Sequence, residues 1–346
     1  MIYRNVCIES LGYSLPEEVL TSAELEARLA PLYERLRLPE GRLELMTGIR
    51  ERRFWPLGML PSEKSVESGE KAIREAGIDR REIGALIHAS VCRDFLEPAT
   101  ACAVHHRLRL RSECMIYDVS NACLGMLNGI VQVANMIELG QIRAGLVVGT
   151  ESGRQLVEST IDWLNRTESL TRDDVKLAVA SLTIGSASAA VLLTHRELSQ
   201  AEHRLVGGVG YASTLYHALC HGGGSQMADS QLLMTTDSER LMHEGIATGA
   251  ATFRVFLQDT RWSREQIART FCHQVGSAHR KLMLQALELP TDRDFTTLEW
   301  LGNTGSAALP VTMAIGIERG LLKAGDKIAM LGIGSGINCL MLAAEW

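Results

Sequence analysis

The stretch Tyr117-Asp118-Val119-Ser120-Asn121-Ala122-Cys123-Leu124-Gly125-Met126 sets a thiol between two kinds of pattern. The apolar run from Cys114 to Val119 reads as a buried strand. Behind the thiol, Leu124, Leu127, Ile130, Val131, Ala134 and Ile137 recur at helical spacing. Cys123 is thus expected at a strand-to-helix turn, where the positive end of the helix dipole and the free N–H groups favour a thiolate. Its small neighbours Ala122 and Gly125 leave room for a substrate. Taken alone, such a cysteine is more often a small buried hydrophobe. Three distant positions shift the balance. His273 ends the apolar run Arg269-Thr270-Phe271-Cys272, Asn303 precedes a helix in Leu301-Gly302-Asn303-Thr304-Gly305, and Glu97 follows a strand ending at Cys92. Cys, His and Asn at element ends are what a thioester-forming site needs. The thiolate attacks an acyl thioester, and an imidazole N–H and an amide N–H hold the oxyanion of an enolate. The glycines of Gly332-Ile333-Gly334-Ser335-Gly336 let backbone amides approach the acyl carbonyl. Singly each signal is weak. A histidine closing a buried strand is more often structural, and the glycine run is too short and wrongly placed for a phosphate-binding fingerprint.

These residues need elements to hold them. Ile2 to Leu15 reads as a strand and turn, and a helix runs from Ser22 to about Leu36. Thr47 to Arg53 reads as a basic turn. Ser65 to Ala76 is a polar-faced helix ending at Gly77, and Ile83 to Cys92 is apolar enough for a central strand. A helix follows Glu97-Pro98 to about Leu108. Then come the Cys114 strand, the Cys123 helix and a strand from Ala144 to Thr150. Residues 152–181 are polar and charged and look like an inserted cap, with a helix start at Leu170-Thr171-Arg172-Asp173-Asp174. Leu182 to Thr194 returns to strand character, and Leu198 to Arg204 is the linker candidate. Beyond it the plan repeats: a strand Val206 to Ala212, a long helix Asp237 to Asp259, a strand Arg269 to Val275, a helix Gly305 to Arg319, and a hairpin of Lys327 to Ile333 with Asn338 to Ala343. Strand–helix alternation argues for an α/β fold with helices packed on a sheet. The expected division is a half carrying the nucleophile over 1–200 and a half carrying His273 and Asn303 over 201–346. The repeat is one of architecture, not of residue identity.

Composition narrows the function. A chain of 346 residues with 46% hydrophobic and 22% charged residues supports a large soluble core. The formal charge of −6 and the lack of a basic block exclude a nucleic-acid partner. An acidic substrate such as coenzyme A has to be met by local Arg and Lys; Arg50, Arg52 and Arg53 are candidates for its phosphates, though a solvated turn explains them equally. The N-terminus has neither the charged nor the apolar region of a signal peptide, and no apolar run reaches spanning length, so a cytoplasmic protein is expected. Eight scattered cysteines suit reduced thiols better than a disulfide framework. The spacings of Cys102, His105, His106 and Cys114, and of His217, Cys220 and His221, lack the paired short intervals of a zinc site, so no metal is expected.

Asp-Val-Ser-Asn-Ala-Cys, Cys-His-Gln-Val-Gly, Gly-Asn-Thr-Gly-Ser-Ala-Ala-Leu-Pro and the terminal Gly-Ile-Gly-Ser-Gly together resemble the thiolase superfamily, ketoacyl synthase III branch. The four motifs occur in the family's order and the resemblance runs nearly end to end. It implies a thiolase fold, a duplicated five-layer α-β-α-β-α sandwich, normally a homodimer. It makes Cys123 the acyl-accepting nucleophile, and His273 with Asn303 the enolate oxyanion hole. A narrower match is carried by Ser90-Val91-Cys92-Arg93-Asp94-Phe95-Leu96-Glu97-Pro98-Ala99-Thr100 and the ending Gly-Ser-Gly-Ile-Asn-Cys, which resemble the OleA thiolases of long-chain olefin synthesis. That likeness implies a head-to-head Claisen condensation of two fatty acyl-CoA molecules without decarboxylation, giving a 2-alkyl-3-keto acid or its thioester. It implies no cofactor beyond the coenzyme A thioesters themselves. Glu97 falls at the position of the base, lent by the dimer partner, and Ser335, between Gly334 and Gly336, on the serine of the glycine loop.

Where ketoacyl synthases that start fatty-acid synthesis read His-Gln-Ala-Asn, this chain reads His273-Gln274-Val275-Gly276. Decarboxylation generates its own carbanion, whereas a non-decarboxylative condensation must remove an α-proton and needs a carboxylate. Glu97 separates the two; its blander explanation is an exposed residue at a helix N-terminus. Two alternatives stay open: a decarboxylative condensation or acyl transfer with a carrier protein, and a subunit of a heterodimeric synthase. Acyl chain length, coenzyme A against carrier protein as donor, and downstream enzymes are not set by the sequence.

Overall fold

Two stretches, Ile83–Ala89 and Ala144–Glu151, are buried at every position. A strand with no exposed side must be covered on both faces by helices, and the architecture follows from that demand. The computed structural model describes residues 1–223, 234–273 and 275–346. In chain order the strands are β1 (Val6–Ser14), β2 (Glu18–Thr21), β3 (Glu51–Phe54), β4 (Ile83–Ala89), β5 (Met115–Val119), β6 (Ala144–Glu151), β7 (Ala187–His195), β8 (Arg204–Ala212), β9 (Cys220–Gly222), β10 (Met234–Thr236), β11 (Ile267–Cys272), β12 (Lys327–Gly334) and β13 (Asn338–Glu345). The helices are α1 (Ser22–Arg28), α2 (Ala30–Leu36), α3 (Arg42–Thr47), α4 (Pro61–Ala76), α5 (Thr100–Arg107), α6 (Gly125–Glu138), α7 (Arg154–Arg166), α8 (Arg172–Leu182), α9 (Ser238–Thr260), α10 (Ser277–Leu287), α11 (Leu298–Leu301) and α12 (Ala308–Glu318).

The main sheet runs β11-β12-β13-β8-β1-β7-β6-β4-β5. It consists of two parts that meet where Cys7 of β1 lies opposite Arg204 of β8. On one side β4 and β6 are parallel, and β6–β7 and β7–β1 are antiparallel. On the other side β11 and β12 are parallel, and β12–β13 and β13–β8 are antiparallel. The order β4-β6-β7-β1 thus recurs as β11-β12-β13-β8, strand for strand and sense for sense.

Three helical layers alternate with the two sheet parts. Helix α12 is buried without a break from Ala308 to Gly316. A helix apolar all round belongs in an interior layer, and it shares its core with α6: Leu127, Ile130 and Ile137 meet Val311, Met313 and Ile315 between Val147 and Val191 of one sheet part and Met330 and Leu342 of the other. The outer layers are α4 and α5, through Ala72, Ile73 and Val104, and α9 and α10, through Phe253, Phe256 and Leu284. This is the five-layer α-β-α-β-α sandwich of the thiolase fold.

Several expectations are corrected. The helix from Ser22 is two helices, α1 and α2, meeting at Leu29. Pro31 stands in the first turn of α2, and its ring and missing N–H forbid continuation through it. The cap is larger than residues 152–181: α7 and α8 share a core with α1, α2 and α3, through Leu25, Leu32, Leu43, Val157, Leu164 and Leu182. Thr171 opens α8 with a reciprocal capping box to Asp174. The Thr47 to Arg53 turn is the end of α3 followed by β3, which pairs with β2. The strand before Cys123 is not buried in this chain. β5 is the outer edge of the sheet, with Met115 53% exposed.

Candidate active site

Cys123 lies between the end of β5 and the start of α6. Ala122 has φ +44°, the left-handed region that costs a residue with a Cβ. That strained residue turns the chain sharply enough to bring Asn121 into a bridge with Cys123. Asn121 Nδ2 donates to Asn128 Oδ1 at 2.8 Å and pins the turn to the first coils of α6. The thiolate expected at the helix start is not the resting form. Burial, then the charge of Glu151, then Cys220 push the Cys123 thiol up to about 12. Desolvation and a nearby carboxylate together outweigh the helix dipole.

His273 follows β11, and its backbone N–H donates to Leu331 O of β12 at 3.0 Å. Burial, with His279 adding to it, drives its imidazole down to about 3, so it is neutral at any physiological pH. Its Nδ1 is buried with no hydrogen-bond partner among the described residues. The adjoining Gln274 lies outside the described residues. Asn303 is held by its backbone: its N–H donates to Thr183 O, and its C=O accepts from Gly185 N–H, both at 2.9 Å. Its Oδ1 accepts from Gly305 N–H at 3.0 Å, which fixes the side-chain amide and commits the oxygen, leaving Nδ2 as the donor end.

The glycines of the closing hairpin serve packing. A Cβ at Gly332 would meet Leu127 Cδ1 at 2.5 Å, and one at Gly334 would meet Leu124 Cγ at 3.1 Å. Without side chains there, β12 lies directly on the helix behind Cys123. Ser335 stands in the turn, with Oγ donating to Cys220 Sγ at 3.3 Å. The Cys123 turn, the strand that carries His273 and the glycine turn are therefore contiguous. The Asn303 turn joins them through Ser306, whose Cβ is 3.5 Å from where a Cβ on Gly125 would stand.

Two residues escaped the sequence. Cys220 opens β9, and its sulfur accepts from Thr236 Oγ1 as well as from Ser335 Oγ, each at 3.3 Å. In the sequence it shows only a loosely metal-like spacing with His217 and His221. Among the described residues no group of three or more His, Cys, Asp or Glu is placed to hold a metal. Glu151 ends β6, is 5% exposed, and accepts from Val91 N–H, Ser306 N–H and Ser306 Oγ–H at 3.1, 3.2 and 2.5 Å. A signal for it existed: like Cys123 and His273, it closes an apolar run.

Glu97 is exposed on the loop between β4 and α5, and it makes no hydrogen bond or ion pair among the described residues. It does not join the Cys123 cluster within its own chain. Its loop carries exposed Val91, Phe95 and Leu96 and is tied to the end of β5, where Ser90 N–H donates to Val119 O at 3.2 Å and Thr100 N–H donates to Asp118 Oδ2 at 2.8 Å.

The three arginines divide. Arg50 is exposed and 3.4 Å from Glu299. Arg53 donates from Nη1 to Pro16 O at 3.0 Å. Arg52 is fully buried, because alternation along β3 turns it inward with Phe54. Burial brings it down to about 10, and it donates to Ser22 Oγ at 3.0 Å. It cannot meet a solvent-borne phosphate, which corrects the expectation for that residue.

Comparison with known proteins gives concordant likenesses. The family description "Thiolase, N-terminal domain" matches residues 61–175, and "3-Oxoacyl-[acyl-carrier-protein (ACP)] synthase III C terminal" matches residues 257–346. Over its full length the chain is 44% identical to an acyl-CoA:acyl-CoA alkyltransferase of Shewanella oneidensis and 34% identical to one of Xanthomonas campestris pv. campestris, each match covering 100% of both chains. A crystal structure of a Cys-to-Ser variant of Xanthomonas campestris OleA with bound lauric acid and lauroyl-CoA superposes with a TM-score of 0.94 at 34% identity, covering 99% of this chain and 100% of that one.

Proposed function

Since the chain belongs to the acyl-CoA:acyl-CoA alkyltransferase (OleA) family of thiolase-fold condensing enzymes, we propose that it joins two fatty acyl-CoA molecules head to head, without decarboxylation. The observation that carries this reading is the full-length match at 44% identity, in a chain that keeps Cys123, His273, Asn303 and Glu97 at element ends and loops. Cys123 gives up its proton and attacks the first thioester carbonyl, and coenzyme A leaves as the thiol. The second acyl-CoA loses an α-proton to Glu97. The enolate oxygen is held by neutral His273 and by Asn303 Nδ2. The α-carbon attacks the acyl-Cys123 carbonyl, the C–S bond breaks, and Cys123 returns as the thiol. The product is a 2-alkyl-3-ketoacyl thioester, whose hydrolysis gives the keto acid.

We propose a homodimer in which Glu97 enters the partner's site. Support comes from β5, one of the two edge strands of the sheet, with an apolar fringe of Met115, Val91, Phe95 and Leu96. An open edge of this kind asks for a pairing strand. Arg50 and Arg53 stay as candidates for coenzyme A phosphates, and the Gly334–Gly336 turn with Ser335 for the acyl carbonyl. The division into halves at about residue 200 is supported by the matched strand orders. Among the described residues no helix is long and apolar enough to cross a membrane; a cytoplasmic enzyme using coenzyme A thioesters without a further cofactor is part of the same proposal.

The test is to incubate the pure chain with a single long-chain acyl-CoA and analyse the products. A condensed β-keto acid, or the ketone from its decarboxylation, supports the proposal. Turnover only with a malonyl thioester would return the chain to the decarboxylative synthases, and turnover only after another chain is added would make it half of a heterodimer.

The two half-reactions should separate by mutation. His273→Ala or Asn303→Ala should leave acylation of Cys123 nearly intact and slow condensation on the order of 10²–10³-fold, the usual cost of one oxyanion donor. Single-turnover acylation by mass spectrometry, set beside steady-state keto-acid formation, measures both. An equal loss in the two steps would refute the assignment of these donors to the enolate.

A further inference from the structure

A general base displaced by about 1 Å can lose on the order of 10² in rate, yet nothing at the tip of its loop holds Glu97. Phe95, Leu96, Glu97 and Pro98 are exposed and make no hydrogen bond among the described residues. Within the chain their placement is set by the two ends of the tip, and both ends are pinned. Asp94 N–H donates to Thr100 Oγ1 at 3.1 Å, which closes the loop at its base. Asp94 Oδ1 accepts from Ser62 N–H at 2.9 Å. On the other side, Thr100 N–H and Ala101 N–H donate to Asp118 Oδ2 and Oδ1, at 2.8 and 2.9 Å.

These bonds are borrowed caps. Neither α4, which begins after Leu60, nor α5, which begins after Ala99, has a side-chain cap of its own. The free N–H groups of a helix start need acceptors, and a carboxylate there also meets the positive end of the dipole. Asp94 serves α4 in this way, and Asp118 serves α5. Asp118 lies on β5, the strand that leads to Cys123. Both of its oxygens are nevertheless engaged by α5, the helix that follows Glu97. Thr100 is 1% exposed, and valine has its shape without the acceptor, so one substitution can open the base of the loop and leave the surface as it is.

We propose that Thr100 and Asp118 are positioning residues for the base, and that through Glu97 they serve the partner's condensation site, not the cysteine of their own chain. This rests on the reading that Glu97 crosses the dimer interface. Neither residue touches substrate; each fixes an end of the tip from which Glu97 projects. The signature is an asymmetry: damage to either residue should matter only in the chain that lends the glutamate.

The experiment uses heterodimers purified over two tags. In the reference hybrid one chain carries Glu97→Gln and lends its cysteine. The other carries Cys123→Ala and lends its glutamate, so one site is complete. Thr100→Val is then added to one chain or the other. Placed beside Cys123→Ala, it should lower kcat for condensation by about 10–10²-fold, with acylation of Cys123 unchanged by mass spectrometry. Placed beside Glu97→Gln, it should leave condensation at the reference rate. Thr100→Ser keeps the acceptor and should keep most of the activity in either chain. Asp118→Asn removes one acceptor and the charge and should show the same asymmetry; it decides the matter if Thr100→Val does not fold. In an active reference hybrid, equal losses from both placements, a loss confined to the cysteine-lending chain, or no loss from either overturns the proposal. A reference hybrid without activity removes the reading of Glu97 as a base lent across the interface, and this proposal with it, so the two failures are told apart.

Discussion

Cys123→Ala is expected to abolish acyl-enzyme formation and, with it, all condensation. Loss of a nucleophile commonly removes on the order of 10⁴–10⁶ in rate, because the remaining groups have no intermediate to act on. Wild type exposed to a long-chain acyl-CoA should gain one acyl mass, mapped by peptide digestion to Cys123 and to none of the other seven thiols. The competitors are poorly suited. Cys7, Cys114, Cys272 and Cys339 are buried out of reach of an acyl-CoA, whereas Cys123 is half-buried. Cys92 is tied to the backbone of Ser152, whose N–H donates to its sulfur at 3.3 Å. Cys220 is the informative control, since it lies close enough to act on Cys123. An adduct that persists in Cys123→Ala and maps to Cys220 would transfer the nucleophile's role to β9. Burial, with Glu151 adding to it, pushes the Cys123 thiol up to about 12, so Cys123 rests as the thiol, and its proton is expected to leave as the sulfur attacks.

The parts of this molecule that were legible in the sequence share one property: their signal is local. Leu127, Ile130, Ala134 and Ile137 repeat at the period of a helix and are buried in α6. The Thr171–Asp174 box starts α8, and Gly77 ends α4 in the left-handed conformation. The positions of Cys123, His273 and Asn303 at element ends could be found because apolar runs mark where elements stop. What escaped depends on pairing across the chain. Arg52 reads as a surface arginine until β3 pairs with β2 and alternation turns it inward. Glu151 reads as the polar end of a strand until Ser306 is laid against it. Cys220 gains its place only once the β9–β10 hairpin brings Thr236 to its sulfur. The run Cys114 to Val119 was read as buried because composition cannot tell a strand covered by its own chain from an edge that a second copy would cover.

Glu97→Gln is expected to leave acylation of Cys123 near the wild-type rate and to lower condensation by about 10²–10⁴-fold, the range over which a general base acts. The α-carbon of an unactivated acyl-CoA is a weak acid, and no departing carboxylate creates the carbanion. His273 is unsuited to take the proton: at about 3 its imidazole is too weak a base, and its N–H is needed at the oxyanion. Glu151 is committed at Oε1 to three donors. Glu97 is exposed and without a hydrogen bond or ion pair among the described residues, as a group awaiting a neighbouring protomer must be. Glutamine preserves its size and removes its basicity. The decisive version mixes protomers. Neither Glu97→Gln nor Cys123→Ala homodimers should condense acyl-CoA. A heterodimer of the two holds one site with an intact cysteine from one chain and an intact glutamate from the other. Equal mixing through unfolding and refolding should therefore restore activity approaching about a quarter of wild type, since half the dimers are mixed and each has one complete site. Differentially tagged chains, purified over both tags, isolate that heterodimer. If it forms and is as inactive as its parents, Glu97 does not act across the dimer interface, and the base must be sought within the same chain.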